Sequence, residues 1–207
     1  MGRTTAVSTQ LEAFANELDT GNRKPVTLGE LAKGLGETAP AVLLLLLALP
    51  PLIPLPGVPI GFVFGMAIGI VALQLIAGRA VLVLPGKLAR RSLPRAGVRR
   101  MLLRAVPWLR RIETLLRPGR LMGLTIGGPR RVVGGIALLL ALTLAVPIPL
   151  GDPLPALATM TLAFGLMEHD GAAVLVGATI ATAAIAWNVF LIATSLHLLE
   201  MAAAHLF

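Results

Sequence analysis

Apolar and polar positions fall into long blocks along this chain. Ala41 to Gly78 carries no charged side chain, and neither does Ala172 to Leu196, whereas Arg79 to Arg131 between them is strongly basic. A helix crosses a bilayer with about 20 apolar residues. Ala172–Leu196, an uncharged run of 25, therefore predicts a transmembrane helix, with Trp187 and Asn188 inside it. Ala41–Gly78 is just as apolar, but Pro50, Pro51, Pro54, Pro56 and Pro59 break it in the middle. Leu43 to Leu49 gives only about two turns, roughly 10 Å, before the first proline. The spacing predicts a helix break inside the membrane. Each proline removes an N–H and blocks the carbonyl four residues back. Groups freed at that depth need protein or enclosed water as partners, and broken helices within a bilayer are where transporters place their sites.

The pattern occurs twice. Leu45-Leu46-Leu47-Ala48-Leu49 returns as Leu138-Leu139-Leu140-Ala141-Leu142, Pro54 and Pro56 as Pro147 and Pro149, and Gly78 as Gly171, each pair 93 positions apart. A gapless register predicts a duplicated helix–break–helix unit. The expected fold is an all-α integral membrane protein. It has amphipathic interfacial helices over 1–40, repeat 1 over 41–78 and a basic connector over 79–131. Repeat 2 follows over 132–171, and a C-terminal transmembrane helix with its tail over 172–207. The two repeats are expected to be broken, re-entrant helical hairpins.

Shorter elements fill in the rest. Leu11, Phe14, Ala15 and Leu18 stand at helical spacing, and Gly21-Asn22 and Pro25 end that helix. Thr27 with Glu30 three residues later predicts a capping box at the next one. Gly57, Gly61, Gly65 and Gly69, each four apart, predict a smooth packing face on the second arm of repeat 1. Its partner is either repeat 2 or a second subunit. The stripe has no counterpart in repeat 2, which favours the subunit and a homodimer.

Charge sets the sidedness. The chain has a net charge of +8 and is 56% hydrophobic, which points to a polytopic membrane protein. Glu113 is the one acid among the arginines and lysine of the connector, so that segment is expected on the cytoplasmic side. Trp108 to Leu116 reads as an amphipathic surface helix that turns Arg110 and Arg111, with Arg117 after it, to anionic lipid headgroups. A single Trp among these basic residues argues against nucleic acid. No cysteine is present, which excludes disulfides and thiolate sites. The acidic N-terminal residues Glu12, Glu17 and Asp19 do not fit a cleavable leader. Two hairpins entering from the cytoplasm followed by one crossing is the favoured topology; an inverted repeat is the rival.

Several stretches resemble the ExoD family of exopolysaccharide-synthesis membrane proteins. They are Thr27-Leu28-Gly29-Glu30-Leu31 with Leu35-Gly36-Glu37, then Ala48-Leu49-Pro50 through Pro54-Leu55-Pro56-Gly57, and Leu73 to Arg79. Glu113 to Pro118, Pro147 to Gly151 with Leu154-Pro155-Ala156, Gly165-Leu166 and Asp170-Gly171 continue the likeness in order. The chain departs from the family pattern at Asp152, at His169 and at Arg117-Pro118-Gly119-Arg120. The resemblance implies a bacterial inner-membrane protein linked to exopolysaccharide production, with no defined enzymatic chemistry and no cofactor.

The candidate substrate or ion site residues are Asp152, Glu168 and Asp170 in repeat 2, and Gln74 and Arg79 at the matching end of repeat 1. An ionisable group inside a membrane is functional by default. The plainer readings are helix capping by Asp152 before Pro153, turn chemistry at Asp170-Gly171, and an Arg79 that snorkels to phosphate. His197 and Glu200 make a poor metal pair, and Ser195 lacks the partners of a hydrolase. Two functions stand: a transporter-like protein with a site at the paired breaks, or a non-catalytic partner of the polysaccharide assembly machinery.

Overall fold

The computed structural model describes residues 9, 12–13, 16, 26–27, 30, 35–52, 60–79, 92–93, 99, 103, 106–107, 121, 123, 125–146, 148 and 150–206. Pro54, Pro56, Gly57, Pro59, Pro147, Pro149 and the connector's Arg110, Arg111 and Arg117 lie outside the described residues.

Among the described residues, five helices carry the fold: α1 (Ala39–Ala48), α2 (Ile60–Ile76), α3 (Gly128–Ala145), α4 (Pro153–Met167) and α5 (Gly171–Leu206). Short 3-10 turns precede α1 (Gly36–Thr38) and follow it (Pro50–Leu52). A two-residue antiparallel pair joins β1 (Val26–Thr27) to β2 (Ser92–Leu93). The expected capping box is present. Thr27 N–H donates to Glu30 Oε2 at 2.9 Å, and Glu30 N–H donates to Thr27 Oγ1 at 3.2 Å.

Proline and backbone chemistry set the helix limits. Pro40 sits in the first turn of α1, where its missing N–H costs nothing. After Ala48 the prolines forbid continuation, and the chain tightens into the Pro50–Leu52 turn with Pro51 buried. At the end of α2 the chain turns through Gly78 (φ +70°), and Arg79 N–H closes onto the Gln74 carbonyl. The end of α4 is built alike: Asp170 N–H closes onto the Gly165 carbonyl, with His169 at φ +51° in the left-handed position. The two turns share one form, with Gly78 and His169 each in the left-handed position.

The helices form two hairpins that open at one end of the molecule. Arg130 Nη2, in the first turn of α3, donates to the Glu37 carbonyl just before α1 (3.0 Å). Gly78, after α2, lies against the Arg131 guanidinium. Thr125 Oγ1, just before α3, is 3.5 Å from His169 Nδ1 after α4. At the far end, the start of α2 meets the start of α4, where Gly61 touches Asp152. So α1 and α3 climb, α2 and α4 return, and α5 climbs again beside α4.

Glycine lets these helices approach closely. A methyl group at Gly65 on α2 would stand 2.8 Å from the Ala141 carbonyl oxygen, and one at Gly134 on α3 would stand 2.9 Å from Ile76 N. Gly69 faces Ala141 and Leu138 on the same helix. At Gly65 and Gly69 the glycine stripe thus packs against α3 of its own chain, and at Gly61 against Asp152. This corrects the expectation that it serves a subunit contact: repeat 2 supplies small residues (Gly134, Ala137, Ala141) where α2 needs them, so the stripe needs no copy of itself. Gly165 and Gly177 do the same between α4 and α5, against Val174 and Leu162. Leu44, Ile68, Leu75, Leu140, Leu144 and Leu162 fill the common core.

The outside is apolar as well. Phe62, Val63, Met66, Ile70 and Leu73 on α2, Leu139 and Leu142 on α3, and Leu175, Val176, Val189 and Phe190 on α5 are all exposed. Helices hydrophobic on every side suit a lipid surround. Two of them, Gly128–Ala145 and Gly171–Ser195, are long and apolar enough to cross a membrane, as a membrane protein requires.

Candidate functional site

At the far end of the molecule, its apex, three elements converge on Leu150-Gly151-Asp152. Val146 leaves α3 in an extended conformation, and Leu150 takes φ +63° before the chain enters α4. Two neighbouring residues of α5 hold this bend. Trp187 Nε1–H donates to the Leu150 carbonyl (3.3 Å), and Asn188 Nδ2 donates to the Gly151 carbonyl (3.1 Å) and to the Ala184 carbonyl (3.0 Å). The bonds to Leu150 and Gly151 satisfy carbonyls that the break has freed from a helix. Both Asn188 partners are acceptors, so the nitrogen, not the oxygen, of the amide must face their carbonyl oxygens.

Asp152 stands at the first cap position of α4 but does not cap it. Its carboxylate instead turns across to α2 and accepts the Gly61 backbone N–H. A side chain at Gly61 would collide with that carboxylate. An anion there complements the exposed N–H groups and dipole of the α2 N-terminus. Asp152 Oδ1 and Asn188 Oδ1 are buried and have no hydrogen-bond partner among the described residues. Asn188 itself is only 2% exposed.

The other candidates lie at the open end, the length of α4 away, which is about 22 Å for 15 residues. Asp170 caps α5, its Oδ1 accepting the N–H groups of Ala172 (2.9 Å) and Ala173 (3.3 Å). Glu168 is buried beside it and ends α4. Gln74 is half-buried near the end of α2, and Arg79 is exposed after the turn. The structure therefore separates Asp152 from Glu168, Asp170, Gln74 and Arg79. It adds Gly61, Trp187 and Asn188 to the apex. Asn188 has a signal in the sequence, as the lone side-chain amide in a long uncharged run, where a polar group demands a partner. Nothing local in the sequence marks Gly61 as the partner of Asp152.

A model of the family described as "Exopolysaccharide synthesis, ExoD" matches residues 7–190. The chain belongs to the ExoD family. Protein ExoD of Rhizobium meliloti is 31% identical over 153 residues, covering 70% of this chain and 62% of that protein. An uncharacterized protein of Synechocystis is 29% identical over 176 residues, covering 80% of this chain and 77% of its own length. No solved structure matches. ExoD is implicated by its family description in exopolysaccharide synthesis, and both hairpins and most of α5 fall inside the matched region.

Proposed function

We propose that this ExoD-family protein is a transporter-like protein of the bacterial inner membrane that serves exopolysaccharide synthesis or export, with its site at the apex of the two hairpins. The observation that carries the reading is the meeting of Gly61 and Asp152, which brings the N-termini of α2 and α4 together around buried acceptors with no partner among the described residues. Paired helix starts facing one polar point are the form that solute sites take in membranes.

Sidedness follows from charge. Arg79, Arg130 and Arg131 lie at the open end, together with the start and finish of the basic connector, and this end is cytoplasmic by the positive-inside rule. The homodimer stays part of the proposal, through a face other than the glycine stripe. Depth follows from helix length. The 10 residues of α1 rise about 15 Å and stop half-way through a hydrocarbon layer of about 30 Å. The 18 residues of α3 rise about 27 Å, which sets the apex near the opposite boundary. The first break begins near mid-depth and ends with α2 at the apex, which opens toward the periplasm.

Purified protein in liposomes, offered ions, small sugars and lipid-linked sugars, tests the reading. Uptake that Gly61→Leu abolishes supports it. Flat uptake by folded protein overturns it in favour of a non-catalytic partner of the assembly machinery, working through its basic connector.

A further inference from the structure

We propose that the apex is a proton site: Asp152 Oδ1 takes up and releases a proton beside Asn188, from the side opposite the basic connector. This rests on the reading of the apex as the functional site and names what binds there.

The argument starts from the acceptors. Among the described residues, Asp152 Oδ1 and Asn188 Oδ1 are buried oxygens with no donor. Asn188 cannot be reversed to supply one, because its nitrogen already serves the Gly151 and Ala184 carbonyls. Its oxygen faces Gly151, the residue next to Asp152. Two orphan acceptors on such close neighbours call for a donor or a cation. A hard metal ion takes several oxygens at once. Here the Leu150 and Gly151 carbonyls are already engaged by Trp187 and Asn188. A proton needs one oxygen, and it converts Asp152 Oδ1 from an acceptor into a donor.

Among the described residues of the two hairpins and α5, no neighbouring charge competes for the role. Residues 38–78, which hold α1, the first break and α2, contain no titratable side chain. Neither do residues 132–151 of α3 and the second break, 153–167 of α4, or 171–196 of α5. Among the helices packed at the apex, the nearest such groups along the chain are Arg130 and Arg131 at the open end of α3, Glu168 after α4, and His197 further along α5. Asp152 thus has no counter-ion in the segments that build the apex. The Gly61 peptide N–H is its hydrogen-bond donor, and the rest of its stabilisation as an anion comes from helix dipoles. A carboxyl group so placed changes charge without breaking an ion pair. The residue as a whole is not fully buried, which leaves a route for exchange with water.

The test uses the full chain in lipid nanodiscs, with aspartate isotopically labelled at the side-chain carboxyl. The sequence has three aspartates, Asp19, Asp152 and Asp170, so an infrared titration reads very few groups. The expected result is a labelled protonated-carboxyl band at neutral pH that disappears on alkaline titration and is lost in Asp152→Asn. Asparagine preserves shape at this position, and the wild-type band is informative even if that variant folds poorly. In liposomes, the inward-directed pH gradient should raise solute uptake several-fold in wild type and not in Asp152→Asn. No aspartate band at any pH near neutral, with uptake intact, overturns the proton site and leaves the transport reading standing. A band that sodium abolishes at constant pH overturns it too, in favour of a metal cation. A band with flat uptake keeps the proton site and removes the transport reading.

Discussion

Gly61 and Asp152 lie 91 positions apart in the chain and touch across the apex, the peptide N–H of one meeting the carboxylate of the other. Neither residue belongs to the helix the other starts. The contact is the polar joint between the two hairpins at this end.

The glycine is required for that joint. Gly61→Ala places a methyl group on the Asp152 carboxylate, so the expected outcome is a loss of about 1–3 kcal/mol from overpacking and displacement of the acid. Much of the loss should vanish in the double variant with Asp152→Ala, because the two sites are in contact and their effects do not add. Thermal unfolding in detergent for the four combinations measures it.

The seam between α2 and α3 lies within one chain, and its glycines should matter to folding and not to assembly. Gly65→Leu is expected to force α2 away from the Ala141 carbonyl and to lower the unfolding temperature by several degrees. The oligomeric state of whatever remains folded, read by light scattering after size exclusion, should equal that of wild type.

Asn188 has a structural duty separable from any ligand. Asn188→Leu keeps the volume but leaves the Gly151 carbonyl without its donor, at a cost of about 1–2 kcal/mol for a buried interhelical hydrogen bond in a membrane protein. Hydrogen exchange should show faster opening around Leu150-Gly151 than around Leu162, which packs further along α4.

Asp170 is the contrasting carboxylate. It caps α5, so Asp170→Ala should cost about 0.5–2 kcal/mol and Asp170→Ser should recover most of it. Neither should alter the pH dependence of uptake, since the group lies at the open end. Proton-driven uptake and thermal stability measured on the same preparations separate the two roles.

How far the sequence carries depends on the distance between partners. The capping box of Thr27 and Glu30 is legible because both members lie within one turn. The uncharged run Ala172–Leu196 is legible as one helix, and α5 (Gly171–Leu206) contains it. The glycine stripe is legible as a close-packing face, but spacing within one helix carries no information about which surface fills it. Matching the repeats by glycine aligns Gly78 with Gly171. The left-handed turn residue is His169, and a histidine in that conformation leaves no signature in the sequence. Asp-Pro is a common start signal, so the sequence alone points to Asp152 as a cap for its own helix. Its true partner comes from the other hairpin, and only the assembled fold brings it near.

The hold of α5 on the apex has a mechanical consequence. Trp187 and Asn188 fasten the second hairpin's bend to the last helix at two carbonyls, those of Leu150 and Gly151. Pieces tied like this turn together as a single rigid body. The first hairpin meets that body where α1 packs on α4 and α2 on α3, with Gly61 and Asp152 as the polar joint at the apex; on the transport reading proposed above, rearrangement would fall on that boundary as a sliding shear. On that reading, releasing the apex joint would free one hairpin to move past the other.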